Sequence, residues 1–437
     1  MDGRTSGRWR RLVAVAGVGV VLAGSLTACG DGSAATGTPT LNWYINPDNG
    51  GQQKIAEDCS AASGGAYAIE VSILPSDAAQ QREQLMRRLA GGDTSIDLMS
   101  LDPVFVPETS EAGFLAPVPE DLRATFTDGV VDGAVQGATW KDELVAVPFW
   151  ANTQLLWYRK SVAEAAGLDM TKPVTWQQLI EAAQAQDTAI GVQGQRAESM
   201  TVWVNAMIAS AGGEVIENPD AKGPDIRLGI DSEAGKAAAA VMQRIADAGV
   251  GGPGIDNRDE AATANLFQQE GAAFMVNWPF VYAQGKAAAE GGTMDQAVFD
   301  DYGWTTYPAM AEGTPAAPPL GGIDIAVSAF SENTDVAYEA LQCIVSEENQ
   351  AAYMVSDGNP AALESVYDDP EVQEAYPMYD AIRTSLQAAA PRPQTAYYNE
   401  VSQGIADQWQ PVSSVSDRTP SASQEYIGQV LKGEKLL

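Results

Sequence analysis

Between Thr40 and Pro103 the chain alternates two apolar patterns. "TLNWYINPD" (40–48) and "YAIEVSILP" (67–75) have the alternation of strands, and "IDLMSLDP" (96–103) is a short apolar run that stops at Asp102-Pro103. Between them, "QQKIAEDCSAASG" (52–64) and "AAQQREQLMRRLAGG" (78–92) carry helical spacing and end in glycine. A further helix starts in "TSEAGFLAPV" (109–118). Strand–helix–strand–helix–strand order predicts a parallel sheet covered by helices.

The pattern then restarts. "LVAVPFWANTQLLWYRKSV" (144–162) holds two strand-like runs around Asn152, and 174–212 is helical in spacing. "IRLGID" (226–231) is strand-like and "SEAGKAAAAVMQRIADAG" (232–249) is a clean helix. "DEAATANLFQQEGAAFMVNWP" (259–279) predicts a helix, a glycine turn and a buried strand running into Trp278-Pro279. Strands follow at 302–310 and 321–330, and a long helix at 333–358 ends at a glycine. Residues 360–437 are largely helical, with proline-rich breaks at 391–393 and 411–420, and there is no internal repeat. The implied architecture is α/β with two lobes, 41–149 with 309–357 and 150–308 with 358–437. Chain that crosses more than once between lobes makes a hinge, with a ligand cleft between the sheets.

Composition narrows the function classes. In 437 residues, 25 Lys+Arg stand against 58 Asp+Glu, a formal charge of −33, which repels nucleic acid and anionic headgroups. There is no histidine, which removes the commonest general base, the usual Ser-His and Cys-His pairs and most catalytic zinc sites. Two-carboxylate glycosidases remain open. The chain has no phosphate-binding glycine loop, no dinucleotide fingerprint after a strand and no C-x-x-C, and "GPGIDNRDE" is read as a polar loop. No metal or cofactor is implied.

The first thirty residues read as an address. Arg4, Arg8, Arg10 and Arg11 precede an apolar run, Leu12 to Gly24, too short and glycine-rich for a membrane span. Residues 1–28 are thus expected to be a signal peptide. Residues 29–40, from Cys29 through "GDGSAATGTPT", are expected to be a flexible tether. Two other cysteines, Cys59 and Cys343, sit in helical patterns, and an exported compartment permits either a bridge or two buried thiols.

In open α/β sheets ligands sit beyond the carboxyl ends of strands. The residues there are Asn46, Asp48, Asn49, Asp102, Asn152 and Trp278. Carboxylates and amides can bond hydroxyls in pairs, and an indole offers a face to the C–H side of a sugar ring. That set suits a neutral polyol and repels a phosphate or carboxylate. Each residue alone also has a plain structural role: Asp48, Asn49 and Asp102 as caps, Trp278 as core, and Glu260 as a first-turn acid favoured by the helix dipole.

The end of the leader, Leu26-Thr27-Ala28-Cys29, resembles a bacterial lipobox, in which the cysteine thiol is lipidated. Together with "IDLMSLDPVFVPE", "AGFLAPV", "AVPFWANTQLLWYRK", "EGAAFMVNWPF" and "GGIDIAVSAFSENTDVAYEAL", it makes nearly the whole mature chain resemble the family 1 extracellular solute-binding proteins of ABC importers, within the sugar-binding branch. The resemblance implies a Venus-flytrap fold, each lobe a mostly parallel sheet flanked by helices. It also implies a monomer, lipid-anchored at Cys29 on the outer face of the cell membrane, that hands a sugar to permease subunits driven by a cytoplasmic ATPase. In the trehalose-binding branch a strand-end Asp, a crossover Asn, a Glu upstream of the Trp, that Trp and a late Arg contact the disaccharide. Here these match Asp102, Asn152, Glu260 (with Asp259 as the neighbouring choice), Trp278 and Arg418 in "SVSDRTPS". Asn49 and Gly322 join the set by their loop positions.

Two rivals stay open at the level of sequence. One is a secreted glycosidase using Asp102 and Glu260, although the sequence gives neither a reason for a raised pKa. The other is a lipoprotein that binds a partner or cell-wall polymer in an open groove. Which sugar is bound, trehalose, maltose or another α-glucoside, is not fixed by the residues.

Overall fold

The computed structural model describes residues 37–437, so the leader and Cys29 lie outside the described residues. In chain order, β1 (Thr40–Ile45), β2 (Ala68–Ile73) and β3 (Leu98–Leu101) carry the expected strand–helix alternation. Helix Gly51–Ala62 buries Ile55, Ala56 and Cys59, and helix Ala78–Ala90 buries Leu85 and Leu89. The second helix starts where the Asp77 side chain accepts from the Gln80 N–H at 2.9 Å. A hairpin follows, β4 (Thr139–Trp140) and β5 (Glu143–Leu144), turning on Lys141 and Asp142, both at positive φ.

β6 (Val147–Thr153) and β7 (Leu155–Arg159) are separated only by the buried Gln154, yet they join different sheets. The first crossing therefore comes after Thr153, a few residues later than the expected boundary at 149. The remaining strands are β8 (Ile190–Gly191), β9 (Phe274–Asn277), β10 (Tyr302–Thr305), β11 (Pro319–Val327) and β12 (Ala390–Pro391). The short β8 falls inside the stretch expected to be helical; it separates helices Trp176–Ala185 and Glu198–Ser210.

The first sheet runs β2–β1–β3–β11–β6, with β12 beside the start of β11. β1 is parallel to β2 and β3, whereas β11 is antiparallel to both β3 and β6. The carboxyl ends of β1, β3 and β6 and the start of β11 thus share one rim. The second sheet runs β10–β7–β9–β8, and only β8–β9 is parallel. It departs from the mostly parallel expectation because β7, which enters directly from β6 across Gln154, runs antiparallel to both of its neighbours, β9 and β10.

Each sheet has its own core. Trp43, Phe149, Leu98 and Leu341 belong to the first, Trp176, Trp203, Met242 and Trp409 to the second. The C-terminal segment does not sit in one lobe. Helices Tyr398–Trp409 and Thr419–Leu431 pack into the second core, whereas Ala361 to Leu386 share a third cluster with Ala134 and Leu320 on one side and Trp157, Phe267 and Tyr302 on the other. Cys59 and Cys343 form a disulfide that ties helix Gly51–Ala62 to helix Thr334–Ile344 within the first lobe.

Candidate ligand-binding cleft

A cavity of about 250 Å³ lies where the rim of the first sheet meets the ends of the second. Asn46, Asp102, Asn152 and Gly322 line it from the first sheet. Trp278, just after β9 of the second sheet, and Glu198 and Glu260, each the first residue of a helix, line it from the other side, and Arg392 closes it from the segment after β12. Larger depressions of about 750 and 590 Å³ lie elsewhere. The first contains no strand-end residue, and the second shares only Arg392 with the cleft.

Trp278 owes its position to Asn277. That buried side chain donates to the Glu260 carbonyl at 2.9 Å and accepts from the Trp278 N–H at 2.9 Å. The backbone of Asn277 in turn accepts from the Trp157 indole at 3.0 Å. One amide therefore joins the end of β9 to the start of helix Glu260–Gln268 and brings Glu260 beside Trp278. Asp259 caps that helix, accepting from the Ala262 N–H at 2.8 Å, so Glu260 rather than its neighbour faces the cavity. Burial pushes the Glu260 carboxyl up to about 7, helped by Glu198 and Asp259.

Asp102 is both cap and cleft residue. Its Oδ1 accepts from the Val104 N–H at 3.2 Å and from Arg392 Nη2 at 2.7 Å. Arg392 Nη1 donates to Glu198 Oε1 at 2.6 Å, and the Tyr398 hydroxyl donates to the same oxygen. Arg392 is 3 % exposed and links an acid of the first sheet to one of the second. Pro391 and Pro393 flank it and fix the backbone, and Asn205 donates to the Pro391 carbonyl at 3.2 Å. Burial would lower the guanidinium pKa, but Asp102 and Glu198 more than offset this and raise it. Asp324 lies beside Asp102, 1 % exposed, with its Oδ2 unpartnered; burial and the neighbouring Asp102 push its carboxyl well above the usual range.

Gly322 lies within β11, opposite Ala151 of β6, and not in a loop as expected. Its φ is +138°, and a Cβ there would stand 2.3 Å from the Trp150 carbonyl oxygen. Asn152 pairs with Gly321, and its Oδ1 accepts from the Thr153 N–H at 3.0 Å.

Two expected residues are elsewhere. Asn49 borders a different depression, beside Tyr353: Gly50 turns the chain at φ +104°, and the Asn49 N–H donates to Asp357 at 2.6 Å. Arg418 is exposed at the start of helix Thr419–Leu431, where its carbonyl accepts from the Ala422 N–H at 3.0 Å. The local match that pointed to Arg418 selected a helix start, and the cation of the cleft is Arg392. Sequence reasoning also missed Glu198. Both carried a signal: Arg392 is an isolated charge between two prolines, and Glu198 opens an apolar helix.

The raised Glu260 corrects the sequence-based view that no acid here had reason for a perturbed pKa. A protonated Glu260 has the form of a general acid, but Asp102, the carboxylate that would pair with it, is bound to Arg392. Among the described residues no group of three or more acids or cysteines is arranged to hold a metal ion, and no helix is long and apolar enough to cross a membrane.

A family model described as bacterial extracellular solute-binding protein matches residues 53–351. A probable ABC transporter-binding protein of Deinococcus radiodurans is 24% identical over 352 residues, 77% of this chain and 80% of its own. The galactooligosaccharide-binding protein of Bacillus subtilis is 22% identical over 432 residues, 94% of each chain. Among solved structures, maltose-bound MalE3 of T. maritima superposes with a TM-score of 0.76 at 24% identity, over 91% of this chain and 100% of that one. The GacH receptor of Streptomyces glaucescens, solved unliganded and with acarbose, gives 0.74 at 20% identity, over 91% and 100%. At this identity the structures establish the two-lobed α/β fold.

Proposed function

The chain belongs to the bacterial extracellular solute-binding protein family, and we propose that its solute is an uncharged sugar, a disaccharide with trehalose favoured, held in the cleft between the two sheets. It is a binding protein of an ABC importer and not an enzyme. The observation that carries the sugar assignment is the meeting of an indole with acids and an amide from both sheets in one cavity: Trp278 and Glu260 from one, Asp102 and Asn152 from the other. Among the described residues that line the cavity, the sole cation, Arg392, is already bonded to two carboxylates. A phosphate or carboxylate ligand would meet unbalanced negative charge, whereas hydroxyls can donate to acids and accept from amides.

Contacts from two lobes stabilise a closed state over an open one, which is how such a receptor would bury its ligand. The permease partner, a lipid anchor at Cys29 holding the receptor at the outer face of the membrane, and a monomeric state complete the proposal. Trehalose is favoured by the likeness of Asp102, Asn152, Glu260 and Trp278 to the contacts of the actinobacterial trehalose-recycling lipoprotein LpqY. A receptor for maltose or another α-glucoside is the second choice, supported by the maltose and acarbose named for the structural neighbours.

A thermal-shift screen of residues 30–437 against mono- and disaccharides tests this, since a ligand that binds only the native state raises the melting temperature. A shift with trehalose and little with maltose supports the assignment. A shift with another sugar keeps the receptor and discards trehalose. No shift with any sugar removes the sugar assignment.

A further inference from the structure

We propose that Trp150 and Asn46 form a hydroxyl-reading position on the first-lobe wall of the cleft: the Trp150 indole N–H donates to the bound sugar, and the Asn46 side-chain oxygen accepts from it. This rests on the sugar-binding assignment of the same cleft; it adds Trp150, which neither the strand-end pattern nor the family likeness brought into the site, and gives Asn46, a strand-end residue, a specific role.

Both side chains line the cavity. Trp150 Nε1 and Asn46 Oδ1 are both buried, and neither has a hydrogen-bond partner. Other buried indoles are satisfied: Trp43 donates to Ser100 at 3.1 Å, Trp157 to the Asn277 carbonyl at 3.0 Å, and Trp409 to Ser423 at 3.3 Å. Trp176 and Trp203 are unpartnered too, but they are 0 % exposed inside the second core and line no cavity of the protein's surface described above. Trp150 therefore combines an unpaired buried donor with a place in the cavity wall, where a closing cleft can bring a ligand hydroxyl to it.

The position is built into the sheet. Strand alternation puts Trp150 and Asn152 on the same face of β6, the two half-buried positions between buried Phe149, Ala151 and Thr153. The Trp150 backbone pairs with Ile323 of β11 on one side and bridges Ala361 on the other. Its carbonyl occupies the space that a side chain at Gly322 would need. Asn46 directly follows β1, and its own carbonyl accepts from Gln52 Nε2 at 3.1 Å, which holds the backbone at the edge of the cavity.

A buried donor and a buried acceptor left unpaired each carry a desolvation cost that a ligand can recover. A hydroxyl both donates and accepts, so sugar hydroxyls satisfy Trp150 and Asn46 together. A carboxylate or phosphate oxygen only accepts; it would leave Asn46 Oδ1 unpaired and would face Asp102, Glu198 and Glu260 as well. Trp150 belongs to the first sheet and Trp278 to the second, so hydroxyl reading and ring stacking come from different lobes.

The test is calorimetry on the mature chain with trehalose, maltose and monodeoxy analogues of whichever binds. Trp150→Phe keeps an aromatic wall and loses the N–H. We expect its melting temperature to match the wild type and its affinity to fall about tenfold or more. One monodeoxy sugar should lose the same factor against the wild type and nothing further against Trp150→Phe, the non-additivity of groups that share a bond. Asn46→Ala is the second variant and should show the same pattern with a deoxy sugar. Should Trp150→Phe fold poorly, Asn46→Ala and the deoxy series on the wild type decide. Wild-type affinity in both folded variants overturns the proposal and leaves the receptor standing. A wild type that binds neither these sugars nor any other mono- or disaccharide of the thermal-shift panel overturns the sugar assignment, and this position with it.

Discussion

The indole of Trp278 presses on the backbone of Gly321 across the two sheets: a Cβ at Gly321 would stand 3.2 Å from its Cη2 and 3.3 Å from its Cζ3. At the adjacent Gly322 the nearest atoms are backbone atoms of Trp150 and Ala151, and the residue is constrained by φ +138° and by the Trp150 carbonyl. The two glycines should therefore fail differently. Gly321→Ala has to push the ring aside by a few tenths of an ångström, so sugar affinity falls several-fold with stability nearly unchanged. Gly322→Ala puts a side chain into a region L residues rarely adopt and against a fixed carbonyl, and should destabilise by about 2 kcal/mol or more. Calorimetry and chemical denaturation separate the two. Equal stability loss in both variants would refute the distinction.

Trp278→Ala and Asp102→Ala should each weaken sugar binding at least tenfold, since one removes a buried stack and the other a buried hydrogen-bonding group. Affinity is measured by calorimetry beside melting temperature. Wild-type affinity in a well-folded Trp278→Ala or Asp102→Ala would return that residue to a role as core or cap.

Arg392→Met should be among the most damaging single changes in the protein. It leaves Asp102 and Glu198 buried without their partner, a loss of about 3–5 kcal/mol. Replacing the acids as well, as Arg392→Met with Asp102→Asn and Glu198→Gln, should recover much of that stability while sugar binding stays weak. Denaturation curves decide. A single variant as stable as the wild type would mean the three charges are solvated independently.

The sequence made the first lobe legible because each strand there is separated from the next by a helix with its own stop signal, such as Gly91-Gly92 after Leu89. Asp102 and Trp278 were legible for the same reason, as each ends an apolar strand run. The second sheet was less so. β8 is two residues long, too short for any period to register between two helices. Arg392 was missed because its role depends on segments 290 and 194 residues away in sequence, and no local pattern announces an ion pair of that range. Asn49 was overassigned because position after a strand does not say which way the next turn goes, and Gly50 and Asp357 turn it away from the cleft.

Reducing the Cys59–Cys343 bridge, which closes a loop with a sequence separation of 284, should lower stability by about 2–4 kcal/mol. Both ends are in the first lobe, away from the residues lining the cleft, so Cys59→Ser with Cys343→Ser should keep sugar affinity within a few-fold while its melting temperature drops. Loss of binding in a variant still folded at the assay temperature would show that the bridge shapes the cleft.

Glu260 gives the protein a pH signature. Its carboxyl is raised from 4.5 to about 7, chiefly by burial, so the folded chain holds a proton that the unfolded chain has released across that window. The contribution of a raised acid is fully present below the unfolded pKa and is lost as pH rises through the folded one. Relative to Glu260→Gln, which stays neutral, the wild type should therefore lose stability progressively from about pH 4.5 to about pH 7 and then run parallel. The total is on the order of 3 kcal/mol for a shift of this size. Asp259 and Glu198 face the same carboxyl and remain in both proteins, so the difference between the two curves isolates Glu260. Denaturation midpoints at half-unit pH steps measure it. Curves that stay parallel through the window would show that Glu260 ionises freely in the apo cleft, and a difference that grows with pH above 8 would assign the effect to another group.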